Sequence, residues 1–507
     1  MALNLIRNSK VFFTTNINTT TGIVNASSTT TYSSSNIFEL QVLDGFSFSQ
    51  NTNAEQVTVS EAGTTPARGQ RSFNTSLAPV DFSFSTYIRP DFSTNVICEE
   101  SLLWNALLGS DAQNTAIVFT GMTAATYSAT AGELTITMTS GTSPIVQGDK
   151  VLVAGITSSA TGTNKANDER VVNGPGTIKT VTGATGSITQ VVITMDNQAN
   201  TLSTTPAVLS GTLTTTGLKL YSSAWGASPG QSIAGAHRSN TNQLQKFGML
   251  FLVDNVLYAV DNCALNEATI DFGLDGIATI AWTGQATALR QFATGVTASG
   301  GTFTGGAAAD VGSAGAYATK NTDANYITNK LSTCRLKTAR TLGGGTFAVT
   351  PYYLAITGGS ITISNNITYI TPAILGIVNQ AITYYTGTRS VTGTLNAYLN
   401  TGALTGVTQE GVNVTKGTGE LLKDLLAVAA TETEPMFYLE LAIGGTSNAV
   451  RVELQMPSVS IGVPAINTEQ VVSTAITFTG APSTGAYTAR TYDLEKTNEL
   501  TVRYYSN

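Results

Sequence analysis

Residues 80–88 read VDFSFSTYI, an alternation of apolar and polar side chains, and residues 391–399, VTGTLNAYL, repeat the plan without a gap at a spacing of 311. Val80, Phe82, Phe84, Thr86 and Ile88 fall opposite Val391, Gly393, Leu395, Ala397 and Leu399, while Asp81, Ser83 and Ser85 fall opposite Thr392, Thr394 and Asn396. Successive side chains of a strand point to opposite faces, so each run reads as a strand with one buried and one polar face. Working outward, each run is preceded by a second alternation, GFSFSQN at 45–51 or GSITISNN at 359–366, and by a long loop. Each is followed by a leucine-rich helix, EESLLWNALL at 99–108 or GELLKDLL at 419–426. Leu102, Leu103, Ala106 and Leu107 occupy the places of Leu421, Leu422, Leu425 and Leu426, a stripe at helical spacing. Glu99, Glu100 and Glu420 are expected in first turns, where the helix dipole favours carboxylates, and Gly109 as a left-handed C-cap. A third block agrees: Ala268, Ile270 and Phe272 match Val459, Ile461 and Val463 at a spacing of 191, and IAWTG ending at Gly284 matches ITFTG ending at Gly480. The pattern predicts a tandem duplication of a β-rich unit, each copy carrying one short helix.

Composition points the same way. Of 507 residues only 11% are charged and 49 are glycine, with short β-branched runs between turns, which is the profile of a mainly β protein. The net charge of −7 and the lack of a basic stripe argue against a nucleic-acid reader. Cys98, Cys263 and Cys334 are odd in number and lack metal-ligand spacing, so they are expected to be buried thiols. The opening residues, MALNLIRNSKVFF, lack the apolar core of a signal peptide. The apolar stretch 367–385 is broken by Pro372, Asn379 and Gln380 and does not predict a membrane span.

The two copies diverge after the helix. In the second, MFYLELAI begins at Met436, soon after Leu426; in the first, GMLFLVD begins only at Gly248. The intervening block carries GELTITM, GDKVLVAG, RVVNGPG, TIKTVTG and TQVVITM, short strands between turns, which predicts a folded insert of immunoglobulin-like class. The expected division is therefore residues 1–109 with 241–293, an insert at 110–240, a Gly-rich linker at 294–325, and a second unit at 326–507.

A search for chemistry finds little. His237 is the sole histidine and sits in a glycine-rich segment with no nucleophile motif. GPGTIKT at Gly174 lacks Walker spacing and reads as a turn. Asp271 and Asp275 read as solvated carboxylates at a strand end, and DNQAN at Asp196 has too few carboxylates for a calcium loop. No catalytic residue, cofactor site or metal site is expected, which points to a structural protein, not an enzyme.

Two tandem β-units with a long loop, one flanking helix and an immunoglobulin-like insert resemble the major tail tube proteins of long-tailed bacteriophages, in their double-domain form. The resemblance implies a mainly β fold: two tail-tube-like sandwich or barrel domains, each with one short helix, plus an inserted sandwich. It implies a virion tail protein, assembled in the host bacterial cytoplasm, that partners itself and other tail proteins. Homotrimeric rings of pseudo-sixfold symmetry would stack into a tube, with genomic DNA passing through without specific binding. Asp81, Ser83, Ser85, Thr392, Thr394 and Asn396, or Thr269 and Asp271 beside them, are then candidates to line the lumen. The long loops are candidates for contacts between rings: Glu61, Arg68 and Arg71 by charge, and Ile374, Leu375, Ile377 and Tyr385 by apolar burial of residues 367–389 against the adjacent ring. The alternative function is a phage surface adhesin or fibre that binds a host glycan or protein.

Overall fold

A computed structural model describes residues 9–18, 20–25, 37–43, 45–57, 71–91, 97–98, 100–108, 116–117, 119–129, 132–141, 150–184, 187–195, 209–215, 218–221, 244–253, 256–291, 297–299, 302–304, 326–338, 351–370, 381, 383–400, 408–409, 412–429, 436–444, 451–468, 471–480 and 500–505. They are mainly strand. The first half supplies β1 (Lys10–Thr14), β2 (Ile37–Leu40), β3 (Ser47–Val57), β4 (Arg71–Tyr87), helix α1 (Ser101–Leu108), β5 (Phe247–Val253), β6 (Val256–Gly273), β7 (Thr279–Ala286) and β8 (Ala288–Gln291). These pair antiparallel in the order β2–β1–β5–β6–β7–β4–β3, with β8 prolonging β7 along β6.

Between α1 and β5 lie, among the described residues, nine further strands and helix α2 (Gly162–Val172). Seven of the strands form one sheet in the order Ala116–Ile117, Lys219–Tyr221, Lys150–Ala154, Gly174–Ala184, Ser187–Met195, Glu133–Gly141, Phe119–Ser128, and Thr157–Ser158 pairs with Leu213–Thr214. Leu134, Ile136, Ile178, Val191 and Ile193 belong to a core cluster of their own. Two local expectations are corrected here. The GPGTIKT segment is not a turn but the start of the strand Gly174–Ala184, and RVV at 170–172 ends a helix. Tertiary packing overrides the β-branched preference, since Val171 and Val172 are fully buried. Asp168, also buried, anchors α2 by accepting hydrogen bonds from Ser158 Oγ (2.6 Å) and from the Ser210 and Gly211 amides (3.0 and 2.9 Å).

The second half supplies β9 (Thr333–Thr338), β10 (Pro351–Tyr352), β11 (Ala355–Ser364), β12 (Ile367–Ile370), β13 (Thr383–Thr386), β14 (Ser390–Tyr398), helix α3 (Thr418–Ala429), β15 (Met436–Gly444), β16 (Arg451–Ile461), β17 (Ala465–Asn467), β18 (Ser473–Gly480) and β19 (Thr501–Tyr505). The order β10–β9–β15–β16–β18–β14–β11 repeats that of the first half, with β19 on β16 in the place of β8 on β6. The match of IAWTG to ITFTG is corrected by two residues: the ladders put Gly284 beside Phe82 and Phe478 beside Gly393. A slide of two keeps every side chain on its face, which is why the burial alternation survives it.

Core packing follows the alternation. In β7 every second residue is buried, and Trp282 meets Trp104 of α1 edge to face at 5.1 Å while its Nε1 donates to Thr86 Oγ1 at 3.0 Å. In the second half Leu421 and Leu425 of α3 are buried, and Asp424 accepts from Tyr352 Oη (2.8 Å) and Lys416 Nζ (2.6 Å). One core cluster takes in residues of both halves. Glu420 lies in the first turn of α3, whereas Glu100 stands just ahead of α1, buried, accepting from the Arg89 amide. Glu99 and Gly109 lie outside the described residues. Cys263 and Cys334 are buried free thiols whose ionisation burial pushes up, and the side chain of Cys98 lies outside the description. Of the linker, Thr297–Ser299 pairs with Thr302–Thr304. Among the described residues no helix is long and apolar enough to cross a membrane.

Candidate assembly surface

The halves are joined edge to edge. The last part of β6 pairs antiparallel with β11, from Glu267 opposite Ser364 to Gly273 opposite Gly358. The Asn365 amide donates to Asn266 O (2.8 Å), and its side-chain amide donates to Leu107 O (2.7 Å) and Leu265 O (3.2 Å). Arg389 donates to Leu108 O (3.3 Å) and to Asn365 Oδ1 (3.2 Å). The last carbonyls of a helix have no partner within it, so the second half caps α1 of the first. Apolar contact follows: Leu107 and Leu108 are buried, and Phe272 lies so close to Gly359 that a Cβ there would stand 2.8 Å from the Phe272 ring.

At Asn366 the backbone takes φ 49°, a left-handed bend for which asparagine is among the better non-glycine residues. It turns the hairpin β12–β13 onto the first half. Ile367, Tyr369, Ala381 and Tyr384 cluster with Leu244 and Ala264. Tyr369 Oη lies 2.8 Å from Asn262 O and 3.0 Å from Gln285 O, and Tyr384 Oη donates to Leu244 O at 3.1 Å. Burial pushes the Tyr384 phenol up to about 12.

The opposite edges are different. Among the described residues β3 has a strand partner only in β4, and the run from the end of β16 through β17 has its partner β18 on one side. Its other side meets only the first residues of β15. These two edges are the counterparts of β11 and β6, the edges that are joined within the chain.

The polar face runs unbroken across the join. One row of ladder partners reads Ser85, Ala281, Thr269, Thr362, Thr392, Thr479 and Ser460. Ser83 Oγ lies 2.8 Å from Ser47 Oγ, Gln285 donates to Asp81 at 3.0 Å, and the hydroxyls of Thr269 and Thr362 are 3.2 Å apart. Asp81, Thr392 and Asn396 are exposed, while Ser83, Ser85 and Thr394 are half-buried. The face carries the carboxylates Asp81, Glu267 and Asp271, and across β3, β4, β6, β7, β11, β14 and β18 the sole basic residue is Arg71 at the far end of β4. Among the described residues no cluster of His, Cys, Asp and Glu has the makings of a metal site.

No protein-family model matches the chain. Over 497 residues it is 24% identical to the tail tube protein pb6 of Escherichia phage T5, a match covering 95% of this chain and 74% of that protein. The resemblance to the major tail tube proteins of long-tailed phages is borne out. The likeness supports a structural tail tube role in the virion, and the mainly β fold agrees with it.

The loop candidates divide. Glu61, Arg68, Ile374, Leu375 and Ile377 lie outside the described residues, Arg71 opens β4 opposite Val57, and Tyr385 is exposed on β13. The expectation of one apolar loop covered by an adjacent ring is corrected at its base, because the chain's own first half covers Ile367, Tyr369 and Tyr384. Asn365, Arg389 and Tyr369, which make the join, escaped the sequence reading. Their partners in the first half lie about a hundred or more residues upstream, so no local pattern in the sequence marks them.

Proposed function

We propose that this tail tube protein closes into rings of three chains, six tube domains in pseudo-sixfold array, which stack into the conduit for DNA delivery. The observation that carries the reading is the β6–β11 join together with the two open edges that are its counterparts. An open sheet edge templates pairing with another chain, and a head-to-tail contact that repeats a rotation closes a ring. With residues 1–109 and 241–293 as one domain and 326–507 as the next, linked through 294–325, each chain fills two positions. Residues 110–240 are read as an outward immunoglobulin-like decoration. The polar face with Asp81, Ser83, Ser85, Thr392, Thr394 and Asn396 is read as the lumen, because carboxylates and hydroxyls without lysine or arginine do not grip phosphates. Glu61, Arg68, Arg71 and, at the other loop, Ile374, Leu375, Ile377 and Tyr385 are read as contacts between rings. Native mass spectrometry and electron microscopy of the purified chain test this: three chains per ring are expected, while six chains per ring, or discrete elongated particles, would sink it.

A further inference from the structure

The segment RVVNGPG holds the chain's one Asn–Gly pair, Asn173–Gly174. An asparagine followed by glycine can modify itself. The glycine's main-chain nitrogen attacks the side-chain Cγ, and the side-chain nitrogen leaves as ammonia. Water then opens the five-membered imide to aspartate, or to isoaspartate with the chain running through the side chain. Glycine suits the attack because it has no Cβ in the way and the freest backbone. In the folded insert Asn173 is held away from that reaction, at the corner between α2 and the next strand. It caps the C-terminal end of α2, its amide donating to Glu169 O at 2.9 Å. Its Nδ2 donates to Glu169 O and to Ile156 O, both at 2.8 Å, and its Oδ1 accepts from the Ile156 amide at 2.9 Å. Gly174 opens the strand Gly174–Ala184 opposite Val153. The leaving nitrogen, the side-chain oxygen and the attacking residue are therefore each fixed by the fold.

We infer that Asn173 is a self-modification site that works as a one-way switch on the insert. It stays an asparagine while the corner is closed, converts when the corner opens, and then keeps the corner from closing again. Cyclisation requires the side chain to release Ile156 and Glu169, so its rate follows the population in which this corner is open. The product does not fit the place that the amide left. A carboxylate only accepts, so both Nδ2 donations are lost and oxygen faces oxygen at Ile156 O and Glu169 O. The new charge also stands at the C-terminal end of α2, where the helix dipole disfavours an anion, after a turn that already carries Asp168 and Glu169. Isoaspartate lengthens the chain by a methylene as well, which displaces Gly174 from Val153. The insert's core cluster shares no residue with the main one, so the change is confined to the insert.

The test incubates the full chain at mildly alkaline pH and follows Asn173 by peptide mass mapping. In urea the residue should gain the mass of an amide turned acid, and in the folded chain it should do so at least about tenfold more slowly, because reaction waits on opening. Equal rates in the two conditions, or no conversion in urea, overturn the site. Gly174→Ala keeps the asparagine and should slow conversion in urea; an unchanged rate overturns attack from residue 174. Asn173→Asp tests the switch. Hydrogen exchange at the Ile156 and Ser158 amides should rise at least about tenfold as two acceptors lose their donors, while exchange in β6 and β11 keeps the wild-type rate. Wild-type exchange at Ile156 and Ser158 overturns the switch. Should that variant misfold, the wild-type chain converted in urea and then refolded gives a second reading: faster exchange at the same amides upholds the switch, and exchange at the unconverted rate overturns it.

Discussion

At the scale of single residues, the duplicated halves solve one packing problem in two mirrored ways. Phe82 on β4 lies over Gly284 on β7, and Phe478 on β18 lies over Gly393 on β14, so the ring has moved to the neighbouring strand while the pair of positions is the same. A Cβ at Gly393 would stand 2.3 Å from the Phe478 ring and 2.5 Å from Ser360 O, and one at Gly284 would stand 2.2 Å from the Phe82 ring. Backbone hems in both sites, so Gly393→Ala should lower unfolding free energy by about 1–3 kcal/mol, read from urea denaturation. Arg335 and Glu440 present a second case: an ion pair at 3.1 Å with both side chains almost wholly buried, the carboxylate also accepting from Tyr438 Oη at 2.7 Å. Arg335→Met leaves that carboxylate in the core without its cation and should cost about 3–5 kcal/mol in the same measurement.

At the scale of elements, the second half holds the first through one bend. Asn365 serves α1, β6 and Arg389 together and is itself buried, so Asn365→Ala should cost about 1–3 kcal/mol and speed hydrogen exchange at the end of α1. The β12–β13 hairpin adds a pH dependence. An undocked tyrosine ionises near 10, whereas docked Tyr384 keeps its proton up to about 12. Docking therefore has its full strength below pH 10 and weakens as pH rises towards 12. Amide exchange in the hairpin should accelerate across that interval, and Tyr384→Phe should make the acceleration shallower; an unchanged profile would show that the phenol carries none of it. The strands of this element were legible as apolar alternation, but its partner was not. Leu244 and Ala264 lie more than 100 residues upstream, and nothing in the local pattern states which distant surface a buried face will meet.

At the scale of the whole molecule, two predictions follow from separate cores and a shared face. The insert's apolar cluster contains no residue of the main core, so replacing residues 110–240 with a short Gly/Ser loop should leave a chain that still assembles into tubes. Insoluble or monomeric product would make the insert structural. If the polar face lines a lumen, cysteines placed by Ser83→Cys and Thr394→Cys should react slowly with a bulky thiol reagent in assembled tubes and quickly in the free chain. Fast labelling in both would put that face outside.

By itself the sequence determined the strand character, the duplication and the buried face of each repeat, because alternation and spacing are local properties that a two-residue slide leaves intact. It also determined that the face shared by both halves would be poor in positive charge. Only the tertiary structure decided which edge meets which. The same alternation suits β3 and β11 equally, yet among the described residues β11 is paired on both sides and β3 on one. The difference lies in chain order: a strand can cover only the edge that its own connections let it reach, so the edge of β6 is closed within the chain and that of β16–β17 stays open among the described residues.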